Sequence, residues 1–142
     1  MRILVDADAC PVKSIILKHA KSMGLEVIMF IDTSHELNDG YSEVVTVDKG
    51  ADSADFALIK RIATGDIVVT QDYGVAAMVL AKKALALNQN GLIYTEYNIA
   101  PLLEQRHMSA KIRRGGGRLS GNPKRTKQND IDFEKALISL IE

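Results

Sequence analysis

The stretch Ile3-Leu4-Val5-Asp6-Ala7-Asp8-Ala9-Cys10-Pro11 constrains this chain more than any other. Its apolar run is too short for a helix and breaks into two carboxylates one residue apart and then a proline, which reads as a buried strand ending in turn chemistry. In an open α/β sheet, ligands bind in the crevice beyond the carboxyl ends of the strands, so Asp6 and Asp8 are expected at its mouth. Two acids leaving a hydrophobic strand repel each other and lose hydration. A cation, a basic partner or backbone donors must compensate them, and the reading adopted is a divalent metal ion.

The rest of the chain fits around that strand. Pro11 suits the first position of a helix, and Val12, Ile15, Ile16, His19 and Met23 recur at helical spacing until Gly24 ends it. His19 beside this stripe is expected to be a packed structural histidine. Leu25 to Ile31 reads as a second buried strand, 32 to 43 as a polar loop, and Val44 to Val47 as a short strand near an edge. A helix follows from about Asp52 to Ala63, with Phe56, Ile59 and Ile62 expected to face inward. Ile67 to Thr70 is a strand without a polar member until its end, as expected where helices cover both sheet faces. The Ala- and Leu-rich run Val75 to Leu87 predicts one helix, Leu92 to Tyr94 the last strand, and Asn98 the cap of a short helix. This alternation predicts one domain over residues 1–142, a three-layer α/β sandwich around a mostly parallel sheet. Residues 108–129 are too rich in glycine and cations to bury a core and are expected to form a flexible arm, before a final helix over 130–142 that docks back.

Acids recur at strand exits and helix openings. Besides Asp6 and Asp8 these are Asp52 and Asp55, Asp72, and less clearly Asp48, while Asp66 is assigned to a turn. In a doubly wound order the first and fourth strands are neighbours, which brings Asp6 and Asp72 together. Aspartates without His or Cys partners match the preference of Mg²⁺ or Mn²⁺ for oxygen ligands and retained waters. The chemistry they would serve is attack of an ion-activated water on a phosphodiester. Each acid also has a local use, since Asp52 and Asp72 are good helix caps and Asp55 completes a capping-box spacing. Cys10 is the sole cysteine, which excludes a disulfide framework. A small buried cap residue is preferred there over a nucleophilic thiol.

At these residues the chain becomes recognisable. Val5-Asp6-Ala7-Asp8-Ala9-Cys10-Pro11, Lys49-Gly50-Ala51-Asp52-Ser53-Ala54-Asp55-Phe56, Val69-Thr70-Gln71-Asp72-Tyr73-Gly74, Tyr94-Thr95 and Arg113-Arg114-Gly115-Gly116-Gly117-Arg118 together resemble the YaiI/YqxD family of bacterial proteins. That family is similar in turn to the PIN-like nucleases, including the NYN branch. The resemblance implies a PIN-like fold and a metal site of Asp6, Asp52, Asp55 and Asp72. Asp8 is an addition of this family, and the catalytic set becomes Asp6, Asp8 and Asp72. It supplies no substrate, because fold does not decide function.

Net charge is zero but uneven: −5 over residues 1–104, +8 over 105–129 without a single acid, and −3 over the remainder. Arg106, Lys111, Arg113, Arg114, Arg118, Lys124, Arg125 and Lys127 are therefore expected to hold nucleic-acid phosphates without reading sequence. No aromatic residue lies between Tyr97 and Phe133, so the arm carries no stacking platform. The alternative is a solvated loop. With no membrane-length apolar run and no signal-peptide pattern, the expected location is the cytoplasm.

The leading function is a Mg²⁺- or Mn²⁺-dependent nuclease, with RNA ahead of DNA by resemblance alone. A catalytically inactive nucleic-acid-binding module is the alternative. The strand-Asp-x-Asp pattern also resembles the haloacid-dehalogenase phosphatases, with Asp6 as nucleophile, Asp8 as acid/base and Thr70 as the strand-end hydroxyl. Pro11 starts a helix where that family needs an insert, and Gly65-Asp66 precedes a strand instead of following one.

Overall fold

The structure is a computed structural model, and it describes residues 1–8, 10–33, 36–49, 53–105 and 124–142. Five strands run parallel: β1 (Arg2–Asp6), β2 (Glu26–Asp32), β3 (Glu43–Val47), β4 (Ile67–Val69) and β5 (Leu85–Leu87). A sixth, β6 (Ile93–Tyr94), returns antiparallel beside β5, and the sheet order is β3-β2-β1-β4-β5-β6. The helices are α1 (Lys13–Met23), α2 (Ser53–Arg61), α3 (Tyr73–Ala81), α4 (99–105) and α5 (Lys127–Ile141).

Alternation along the strands builds the layers, because successive side chains point to opposite faces. Ile3, Val5, Val27, Met29, Ile67 and Val69 pack against Ile16 and Ala20 of α1 and Phe133 and Leu137 of α5. Leu4, Ile28, Phe30, Val68 and Ala86 face the other way, onto Leu58 of α2 and Val75, Ala76 and Val79 of α3. The result is the three-layer α/β sandwich expected from the sequence. The central strands carry almost no polar side chain because neither of their faces meets water.

Several local readings need correction. The run from Val75 does not stay helical to Leu87: α3 stops at Ala81, Lys83 takes a left-handed φ of 63°, and Leu85–Leu87 becomes β5. Ala and Leu favour helix locally, but the unpaired edge of β4 on one side and β6 on the other supply a ladder that outweighs propensity. Pro11 precedes α1 in a turn, with Val12 as N-cap, instead of opening it. The last helix starts at Lys127, earlier than composition suggested, because Thr126 and Asn129 form a reciprocal capping box. Lys127 therefore belongs to α5. Phe56 does not face inward: it is 62 % exposed, because the buried face of α2 is set by Leu58, two residues and about 200° further round the helix.

Candidate functional site

The five parallel strands all exit at one edge of the sheet. β1 ends there in Asp6, β4 is followed there by Thr70 and Asp72, and α2 starts there with Asp55 in its first turn. Because β1 pairs directly with β4, Val5 opposite Val69, the two exits are neighbours. Burial and the charges of Asp55, Asp8 and Asp72 push the Asp6 carboxyl up to about 6, against an opposing hydrogen bond from the Thr70 hydroxyl. Carboxylates from three parts of the sequence thus meet around Asp6.

Two of these neighbours are also held locally. Asp72 caps α3, its Oδ1 accepting from the Val75 N–H at 3.0 Å, and its own N–H donates to Thr70 Oγ1 at 3.1 Å. Cap and cluster member are therefore one residue, so the two readings of Asp72 do not exclude each other. Asp8 Oδ2 accepts from the Asp32 N–H at 3.2 Å, tying the exit of β1 to that of β2. Asp32 is an acid at this edge that sequence reasoning passed over. It opens a polar loop, and its apolar run Val27 to Ile31 was the available signal. Tyr94 supports the floor: its hydroxyl donates to the Thr70 carbonyl at 3.1 Å, and its ring meets Tyr73 edge to face, 6.1 Å between centroids. Burial holds the Tyr94 phenol above its usual value.

Other residues singled out from the sequence fall outside this arrangement or lie beyond the described residues. Asp52 is one of the latter, as are Arg106, Lys111, Arg113, Arg114 and Arg118. Lys124 and Lys127 are exposed. Arg125 is engaged: its guanidinium bonds Asp130 Oδ1 at 2.7 Å, the Gln89 carbonyl at 2.8 Å and Asn90 Oδ1 at 2.8 Å. It anchors the start of α5 to the turn between β5 and β6, a structural duty that reduces its availability to phosphate. Burial raises the Cys10 thiol, the wrong direction for a nucleophile. His19 Nε2 lies 2.9 Å from Glu134 Oε2, joining α1 to α5 as a structural histidine would. Asp66 is more than a turn residue: it is 3 % exposed and bonds Arg2 at the opposite end of the sheet.

The acids are hard oxygen donors of the type that suits Mg²⁺ or Mn²⁺. Among the described residues no three His, Cys, Asp or Glu side chains form a ready-made cage. That is compatible with Mg²⁺, which typically takes one or two carboxylates, several waters and substrate phosphates in place of an all-protein cage. No helix among the described residues is long and apolar enough to cross a membrane.

Comparison with known proteins gives a consistent family. The model of the family described as "Uncharacterized BCR, YaiI/YqxD family" matches residues 4–142. A UPF0178 protein of Ruminiclostridium cellulolyticum is 65% identical over 142 residues, covering 100% of this chain and 93% of the relative. One from Alkaliphilus oremlandii is 54% identical over 142 residues, covering 100% and 92%. Among solved structures, a mutant form of Rae1 (YacP) from Bacillus subtilis matches with TM-score 0.45 and 20% identity, over 80% of this chain and 83% of that one. That likeness is too slight to carry an argument, and the fold assignment stands on the strand order above.

Proposed function

The chain belongs to the YaiI/YqxD family, and from that premise we propose that it is a metal-dependent nuclease that hydrolyses phosphodiester bonds, RNA being preferred to DNA by the PIN-like resemblance. One observation carries the reading: the direct pairing of β1 with β4 and the start of α2 bring Asp6, Asp8, Asp55 and Asp72 to one crevice edge. Carboxylates gathered in such a place serve chemistry more readily than stability.

Asp6, Asp55 and Asp72 would hold the ion, with Asp52 as the fourth acid implied by resemblance. Such an ion, when bound, neutralises charge on the phosphodiester oxygens. Asp72 is kept in position by its bonds to α3 and Thr70, and Asp8, braced by the Asp32 amide, flanks Asp6 where an attacking water would be oriented. The basic segment 105–129 would hold the substrate backbone. Its far end is fixed at the turn that follows β5, where Arg125 donates to the Gln89 carbonyl.

The test is cleavage of single-stranded and duplex RNA and DNA with Mg²⁺, Mn²⁺ or chelator. The wild-type protein is expected to cleave only with metal, and Asp6→Asn and Asp72→Asn to lose at least about 100-fold. Mn²⁺ should also raise the melting temperature of the wild type and not of Asp6→Asn. Chelator-insensitive absence of cleavage on every substrate would overturn the reading. The acid-free run of eight cations over residues 105–129 favours a second reading, a binding module without turnover, for which salt-dependent binding without cleavage is the signature.

A further inference from the structure

Phe56 is an anomaly that the acid cluster does not absorb. It follows Asp55 directly in the first turn of α2, yet its ring is 62 % exposed while Leu58 is fully buried. The ring borders an open groove of about 500 Å³ between the carboxyl end of β3 and α2, lined also by Thr46, Asp48, Ser53 and Lys60. That volume is within the range of small-molecule sites.

We propose that this groove receives an unpaired nucleobase of the substrate strand, stacked on Phe56. The inference rests on the nuclease reading and names its substrate class: a single strand, or a segment whose bases are unstacked. Three features select this occupant. A phosphate run would call for cations alone, whereas among the described residues the groove offers Lys60, Asp48 and the hydroxyls of Thr46 and Ser53. That mixture of donors and acceptors suits the edge of a neutral base. An aromatic face beside it is the element on which single-stranded nucleic acids stack, tolerant of sequence because every base has a π-face. The groove also adjoins the acids: Asp55, the residue before Phe56, shares the first turn of α2 with it at the edge where β1 ends in Asp6. A strand with a phosphate at the carboxylates can therefore lay a neighbouring base on the ring. Stacked duplex bases are not available to such a contact. The basic arm has no aromatic residue of its own, so stacking has to come from the body of the protein.

The chain contains no tryptophan, so Phe56→Trp introduces a single indole reporter at the groove. The experiment uses the full chain in an Asp6→Asn background, which prevents turnover, and titrates a mixed-sequence RNA 12-mer, single-stranded or as a duplex. Indole emission and the anisotropy of a dye-labelled RNA are followed together. Quenching of the indole that saturates with the anisotropy is expected for the single strand and not for the duplex. Phe56→Ala should weaken single-strand binding about tenfold or more, and Phe56→Tyr should retain it. Binding with unchanged emission, or with equal affinity in Phe56→Ala, overturns the groove assignment and leaves the nuclease reading intact; a ring serving an apolar protein partner would give that result. No binding of either RNA, together with no cleavage by the wild type, overturns both. Since Phe56 is exposed, circular dichroism of the alanine variant should match the parent.

Discussion

The sheet has a carboxylate at each end, Asp66 buried and Asp6 half-buried, and the two are treated in opposite ways. At the amino edge, Asp66 accepts from the Arg2 N–H at 3.1 Å, from the Arg2 guanidinium at 2.7 Å and from the Ala63 N–H at 2.9 Å. Burial pushes this acid up, but those donors and the Arg2 charge outweigh it and hold the carboxyl below the usual range. At the carboxyl edge, burial also pushes Asp6 up, its three acidic neighbours push the same way, and against a single hydroxyl donor it rises to about 6. The same chemical group stabilises the fold at one edge and strains it at the other. On the proposed function, the poorly compensated acid at the carboxyl edge is the one that would receive the ion.

The largest expected effect lies at the satisfied edge. Asp66→Ala takes away the shared acceptor of two backbone N–H groups and of the half-buried Arg2 guanidinium, which keeps only the Arg61 carbonyl, and the three lost bonds together should cost about 3 kcal/mol. Urea unfolding at pH 7 should show that loss. Because the folded-state Asp66 is depressed, its contribution is present above the unfolded value of 3.8 and disappears as pH falls through the folded one. The variant and the wild type should therefore converge in acid. A loss under about 1 kcal/mol at pH 7 would mean that the two edges are less different than their partners suggest.

Asp6→Asn should have the opposite sign. A folded-state midpoint of about 6 against an ordinary 3.8 means that the folded protein binds this proton more tightly, so metal-free stability falls as pH rises from about 4 to about 6. The amide cannot ionise. The variant should be more stable than the wild type by about 2 kcal/mol at pH 8, allowing for solvent screening, and lose that advantage near pH 4. A variant that is less stable at pH 8 without metal would show that Asp6 is compensated, and the contrast between the edges would fail. The gain at pH 8 should come with loss of activity, as when a strained functional group is replaced by a placid one.

Both edges were only partly legible in the sequence. The strand Ile3 to Val5 announced itself because an apolar run followed at once by acids has few other uses, and the pairing of β1 with β4 then follows from doubly wound order. Asp66 was read as turn because its partner, Arg2, lies 64 residues away and nothing local distinguishes a capping acid from a paired one. Phe56 fits an amphipathic pattern on paper, but the rotation of α2 is fixed by Leu58 against the sheet, a tertiary choice. β5 was hidden for a similar reason, since Leu85-Ala86-Leu87 carries helix propensity and becomes strand only where β4 and β6 offer partners. Arg125 looked like any cation of a basic run until its contacts to Gln89, Asn90 and Asp130 placed it among the structural residues.

The smallest expected effect tests what little compensation the carboxyl edge has. The Thr70 hydroxyl accepts from the Asp72 N–H at 3.1 Å and donates to Asp6, so one side chain links the cap of α3 to the acid at the end of β1. Thr70→Val keeps the shape and removes both bonds. Because the lost donation favours the ionised form, the Asp6 midpoint should climb further, followed by carboxyl carbon NMR across pH 4 to 8. Stability without metal should drop by about 1 kcal/mol at pH 8 and by less at pH 4, where a protonated Asp6 has less to lose. If the midpoint moved down instead, the hydroxyl would not be acting as a donor to Asp6. Burial and the neighbouring acids would then set its value alone, and the carboxyl edge would hold no compensation at all.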